Sequence, residues 1–130
     1  MEPGLNKIMA KLVLVVDDDR ITVGIIRNKL TEHGYEAHTA ANGREAFERL
    51  KAKVPDMIIL DVNMPDMNGY TFIMEKNKIP EFAHVPVVML TASKETEPLF
   101  KRHRIKGYLL KPIQMQDLLN KINEVIGPSA

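Results

Sequence analysis

The chain has 130 residues, with 18 Lys and Arg against 17 Asp and Glu for a net charge of +1, and no cysteine. That length suits one domain with a single core. The missing thiols exclude disulfides and thiolate metal sites, and the balanced charge argues against a nucleic-acid binder. No apolar run approaches the ~20 residues of a membrane span. The start, MEPGLNKIMAKLVLVV, leads into acids rather than a small-residue cleavage site, so a cytoplasmic protein without membrane attachment is expected.

Residues 1–9 read as an N-terminal extension around Pro3 and Gly4, 10–127 as the folded domain, and 128–130 as a tail. Lys11–Val16 is a short, Val-rich apolar run suited to a strand buried on both faces. Arg20–His33 has helical spacing, with Ile21, Val23, Ile25, Ile26 and Leu30 as a broad apolar face and Gly34 as its stop. Tyr35–Ala40 alternates as a weaker strand. Gly43–Lys53 predicts a helix capped by Asn42, with Ala46, Phe47 and Leu50 inward. Met57–Leu60 is a second apolar strand, Asn68–Lys76 a short helix carrying Tyr70, Phe72 and Ile73, and Pro86–Leu90 a third apolar strand. Pro98 falls where a further helix is due. Because proline is tolerated only in a helix's first turn, a late, short helix over 98–104 is expected after an irregular 92–97 loop. Tyr108–Leu110 is a brief strand. Asp117–Ile126 closes the chain as a helix, with Leu118, Leu119, Ile122, Val125 and Ile126 inward. Strands alternating with helices predict an α/β fold: a doubly wound, five-stranded parallel sheet in the flavodoxin-like order 2-1-3-4-5, with helices on both faces.

In a parallel sheet all strands end at one edge, and open α/β sheets bind ligands there. Asp17 and Asp18 follow the first strand, Asp61 the third, Thr91 the fourth and Lys111 the fifth. These five should converge. Carboxylates crowded in one pocket raise a pKa or admit a cation. With oxygen ligands and no thiol, a hard cation fits best, Mg²⁺ before Mn²⁺ or Ca²⁺. A carboxylate beside such an ion and a lysine can attack a phosphoryl donor. Asp19 belongs elsewhere, as the N-cap of the first helix.

The acids of VVDDD, then ILDVNMPDMNGY, VVMLTAS and GYLLKP, resemble the receiver domain of two-component response regulators across residues 10–127. DVNMPDMNG, with Asn63, Pro65 and Gly69, is the most diagnostic block. The resemblance implies that Asp61 accepts a phosphoryl group from a sensor histidine kinase or phosphotransfer protein. It implies Asp18 as the direct Mg²⁺ ligand, Asp17 as the second acid acting through water, and the Asn63 backbone carbonyl as a further ligand, with Mn²⁺ able to substitute. Thr91 resembles the switch hydroxyl, Lys111 the family's lysine, Tyr108 the aromatic that follows Thr91, and Pro112 a position often preceded by a cis peptide. An output protein would dock on the surface of the fourth helix, fifth strand and fifth helix, here 98–104, 108–110 and 117–126. The implied protein is a stand-alone signalling domain, monomeric or dimerising on phosphorylation. It is not an enzyme beyond catalysing its own phosphorylation and dephosphorylation.

This chain is about two residues shorter than the family between Thr91 and Lys111. The stretch carries a basic cluster, Lys94, 101–104 and Lys106, which reads as a solvated face, with docking onto an acidic surface of a partner as its alternative. His33, His38, His84 and His103 show no ligand spacing. Two other functions share parts of the pattern. A Mg²⁺-dependent aspartyl-phosphate hydrolase of haloacid-dehalogenase type also uses Asp, Thr and Lys, but its nucleophile follows the first core strand. A flavodoxin would hold a flavin phosphate after the first strand, where DDDR repels it.

Overall fold

The stretches LVLVV, MIILD and VVMLT form strands in which every residue is buried. Their alternate residues feed two cores, one on each face of the sheet. Leu14, Val16, Ile58, Leu60, Val87 and Met89 point into one. Val13, Val15, Met57, Ile59, Val88 and Leu90 point into the other. Burial on both sides explains why these strands are unbroken apolar runs rather than alternating ones. Each fully buried Val, Leu or Ile contributes about 1.5–3 kcal/mol of transfer free energy.

The computed structural model of the protein describes residues 10–64, 66–92 and 105–128. The elements are β1 (Leu12–Val16), α1 (Arg20–Glu32), β2 (Glu36–Ala40), α2 (Gly43–Ala52), β3 (Met57–Asp61), α3 (Gly69–Asn77), α4 (Pro80–Ala83), β4 (Val87–Thr91), β5 (Gly107–Leu110) and α5 (Met115–Ile126). The sheet is parallel in the order β2-β1-β3-β4-β5, the expected α/β arrangement. Helices α1 and α5 cover one face through Ile26, Leu30, Leu118 and Ile122. Helices α2 and α3 cover the other through Ala46, Leu50, Phe72 and Ile73. The expected helix over 98–104, the basic residues at 94 and 101–104, and nearly all of the 92–97 loop lie outside the described residues. Among the described residues no helix is long and apolar enough to cross a membrane.

Two expectations need correction. The apolar face of α1 is narrower than its sequence spacing implied: Ile26 and Leu30 are buried, but Ile21 is 76% and Ile25 51% exposed. Helix α1 meets the sheet along one stripe, and these two residues fall outside it. Helix α4 was also not anticipated. It is four residues long and starts at Pro80, where a missing N–H costs nothing.

The same region holds a buried lysine. Lys76 is 2% exposed, and its ammonium donates to Asn77 Oδ1 at 2.9 Å and to the Ala83 carbonyl at 3.2 Å. Burial lowers its pKa to about 8, because desolvation penalises the charged form. Below that pH the folded chain must hold a charge it disfavours. As pH rises from about 8 toward 10.5 the unfolded chain still binds the proton and the folded chain does not, so stability rises with pH across that window. Lys76→Met is therefore expected to raise the unfolding free energy at pH 7 by about 1–3 kcal/mol. Urea titrations should show wild type closing that gap as pH climbs from 8 to 10.5. A variant less stable than wild type at pH 7 would contradict this.

Candidate functional site

Strand register delivers the polar residues of the site. Val16 pairs with Leu60, so Asp17 and Asp61 follow at the same level on neighbouring strands. Asp61 lies opposite Leu90, and Thr91 opposite Leu110, which places Thr91 and Lys111 along the same edge. Carboxylate oxygens of Asp17, Asp18 and Asp61 lie within 4.8 Å of one another. Asp17 and Asp61 are buried, at 1% and 6% exposure. Asp18 faces solvent.

The Lys111 ammonium sits between the two buried acids, 3.0 Å from Asp17 Oδ2 and 3.4 Å from Asp61 Oδ1. Asp17 Oδ1 accepts from the Asp19 N–H at 3.0 Å, and Asp61 Oδ1 from the Asn63 N–H at 3.3 Å. Asp17 Oδ2 is buried without a well-aligned hydrogen bond, so it meets Lys111 as a charge rather than as a shaped acceptor. Burial first, then the Asp17 charge, push Asp61 above the usual carboxylate range, against the pull of Lys111 and the Asn63 N–H. For Lys111, burial pulls its pKa down, but the Asp17 carboxylate and then Asp61 outweigh that and hold it above its ordinary value. An all-oxygen donor set of three neighbouring carboxylates, two of them buried, suits a hard divalent cation.

Asp19 stands apart from this cluster. It caps α1, accepting from the Ile21 N–H at 3.0 Å and the Thr22 hydroxyl at 2.8 Å. The Thr22 hydroxyl is the main reason its carboxyl lies below the usual range. Thr91 is buried and Tyr108 half-buried. Tyr108 pairs in register with Met89, two residues before Thr91, and packs against the core that contains Met89. Thr91 and Tyr108 therefore belong to the same side of the sheet. The Lys111–Pro112 peptide is cis.

The loop after Asp61 is held at two points. Asp66 accepts from the Gly43 and Arg44 N–H groups at 3.1 and 3.2 Å, tying the loop to the first turn of α2. The sequence reading gave Asp66 no role; its position in DVNMPDMNG was the available signal. At Gly69 the backbone of α3 meets Asp61 itself. A Cβ there would lie 2.8 Å from Met89 Cε and 2.9 Å from the Asp61 carbonyl oxygen, so glycine is the residue that lets the helix start this close to the acid.

A family model of the response regulator receiver domain matches residues 13–123. The chain belongs to that family. This receiver domain is 34% identical over 118 residues to the chemotaxis protein CheY of Thermotoga maritima, covering 90% of this chain and 98% of CheY. It is 30% identical over 116 residues to Protein PilH of Pseudomonas aeruginosa, covering 88% of this chain and 96% of PilH. Among solved structures, Vibrio cholerae chemotaxis protein CheY4 aligns with a TM-score of 0.84 at 35% identity, over 89% of this chain and 98% of that one. The hydrolase and flavodoxin alternatives give way to this membership. Receiver domains are phosphoacceptor signalling domains, and this one carries an acidic cluster that could hold a metal ion.

The raised pKa of Asp61 has a consequence for stability. The folded chain holds the Asp61 proton more tightly than the unfolded chain, so the ionised acid weakens the fold above its raised pKa, and that penalty disappears as pH falls to the ordinary carboxylate range. Asp61→Asn is expected to melt higher than wild type at pH 7 in a metal-free buffer, with the difference fading toward pH 4. Equal or lower melting at pH 7 would contradict the electrostatic reading.

Proposed function

We propose that this receiver domain accepts a phosphoryl group on Asp61 from a phosphohistidine on a sensor histidine kinase or phosphotransfer protein, and that the modification switches a protein-binding surface. The observation that carries the reading is the Lys111 ammonium within 3.4 Å of both Asp17 and Asp61, at the strand edge of a receiver domain. An Asp61 carboxylate oxygen attacks phosphorus while the P–N bond to the donor imidazole breaks. The imidazole keeps the bonding pair and takes up a proton. Lys111 stays beside the same oxygens and offsets the nearly two negative charges that a phosphoryl group adds. Asp18 directly, Asp17 through water, Asp61 and the Asn63 backbone carbonyl would hold Mg²⁺, with Mn²⁺ as a substitute. When bound, that ion neutralises the acids and the charge on the phosphoryl oxygens.

The Thr91 hydroxyl then turns to donate to a phosphoryl oxygen, and the space it leaves favours an inward Tyr108. That population shift alters the surface around β5 and α5 that an output protein would read. A protein phosphodonor also needs a surface beside the acids. Ile21, at 76% exposure, stands on the first turn of α1, next to the cap Asp19. Ile25 lines a cleft that Asp19 and Lys111 also line, so the apolar stripe of α1 that the sheet leaves uncovered abuts the site. We place the donor there.

Incubation with acetyl phosphate and Mg²⁺ is expected to add one phosphoryl group to the wild-type chain by intact mass, and none to Asp61→Ala. Chelating the metal should slow the wild-type reaction by about 100-fold or more. An adduct forming equally on Asp61→Ala would overturn the proposal.

A further inference from the structure

On the other side of Asp17, helices α1 and α2 stand apart across the end of β2 and leave a cleft of about 380 Å³. That falls within the roughly 300–1,000 Å³ of small-molecule sites. Three arginines line it: Arg20, Arg27 and Arg49. Among the described residues none of them has a carboxylate partner. Arg49 Nε donates to the Thr39 carbonyl at 3.1 Å, which orients its guanidinium and leaves the terminal nitrogens uncommitted. The two acids in the cleft are already engaged. Asp17 pairs with Lys111 at 3.0 Å, and Glu45 accepts from the Ala41 N–H at 3.2 Å and the Asn42 amide at 3.3 Å. The cleft thus presents unpaired cationic donors.

Gly24 is an independent observation at the same place. Glycine inside a helix costs about 0.5–1 kcal/mol relative to alanine. Packing does not require it here, since a Cβ at Gly24 would meet no atom within 4 Å. Gly24 lines the cleft, and the open space beside it is the cleft itself. Arg20 and Arg27 stand four residues before it and three after, on the same face of α1. A side chain at position 24 would project between them.

We propose that this cleft binds a multiply charged phosphate compound of mononucleotide size, its phosphates gripped by Arg20, Arg27 and Arg49 and its body lying against Gly24. Guanidinium forks match phosphate oxygens two at a time. Three exposed arginines lining one cleft suit a di- or triphosphate better than a single carboxylate. The site is separate from phosphoryl transfer to Asp61 and does not rest on it.

The test is calorimetric titration of the full chain with ADP, pyrophosphate and citrate, in a buffer free of divalent cations so that none binds through a metal ion. ADP is expected to bind with a Kd of about 1 mM or tighter, ahead of both pyrophosphate and citrate. Arg27→Ala and Arg49→Ala should each weaken ADP about tenfold. Gly24→Leu should remove binding while melting no lower than wild type, because leucine favours the helix. Asp61→Ala should bind ADP as wild type does, which separates this site from the phosphoacceptor. Absence of heat with ADP, binding that survives in the arginine variants, or citrate binding as tightly as ADP would each overturn the proposal. So would pyrophosphate matching ADP, which would remove the nucleotide-sized ligand.

Discussion

The Lys111 ammonium is the one cation that stands between the buried carboxylates of Asp17 and Asp61 in the described structure. The acids sit side by side because β1 and β3 are neighbours in register and end at the same level. Buried like charges this close repel strongly in a medium of low effective dielectric. Lys111 reaches them from the far edge of the sheet, two strands beyond β3. Burial first, and then the Asp17 charge, keep the Asp61 pKa raised despite the lysine. Three acids against one lysine leave the cluster with net negative charge, and such a cluster could hold a cation. Burial and the Asp17 charge disfavour the ionised form of Asp61.

Everything around the acids serves to fix their positions. Register sets the level of the acids: Val16 lies opposite Leu60 and Asp61 opposite Leu90, and a slip of a strand would draw its polar end residue toward the apolar core. The chain beyond Asp61 turns at once: Val62 accepts from the Gly69 N–H at 2.8 Å, and Asp66 clamps the loop to α2. Gly69 permits the contact that makes this turn possible. Asp19, which looks like a third member of the cluster, spends its carboxylate on the cap of α1. It still contributes, because its backbone N–H steadies Asp17. Three neighbouring acids therefore take three positions: a buried one paired with lysine, an exposed one within 4.8 Å of the buried carboxylates, and a helix cap.

Much of this was legible in the chain itself. LVLVV, MIIL and VVML are apolar at every position, and each is followed by a polar residue; that pattern alone placed Asp17, Asp61 and Thr91 on one edge. What could not be read depends on how helices sit on the sheet. Ile21 and Ile25 have the spacing of a core face, yet the core takes up only the stripe of Ile26 and Leu30 and leaves these two exposed. Lys76 looks like an ordinary surface lysine on a short helix, and only the fold of α4 back over it shows that it is buried. Asp66 and the arginine cleft join residues far apart in sequence through contacts that no local pattern encodes. The choice of Asp18 over Asp17 as the nearer ligand came from family resemblance, and the exposure of Asp18 beside a buried, lysine-paired Asp17 is compatible with it.

The central claim is chemical: the carboxylate ending β3 becomes an acyl phosphate. Borohydride reduces an acyl phosphate to the alcohol, so an aspartate phosphorylated in the intact chain is converted to homoserine at that position alone. Peptide mapping after phosphorylation and reduction measures this directly. Homoserine at position 61, with aspartate retained at 17 and 18, is the predicted result. Homoserine at either of those two positions, or at none in a chain that carries the phosphoryl group, would contradict the account.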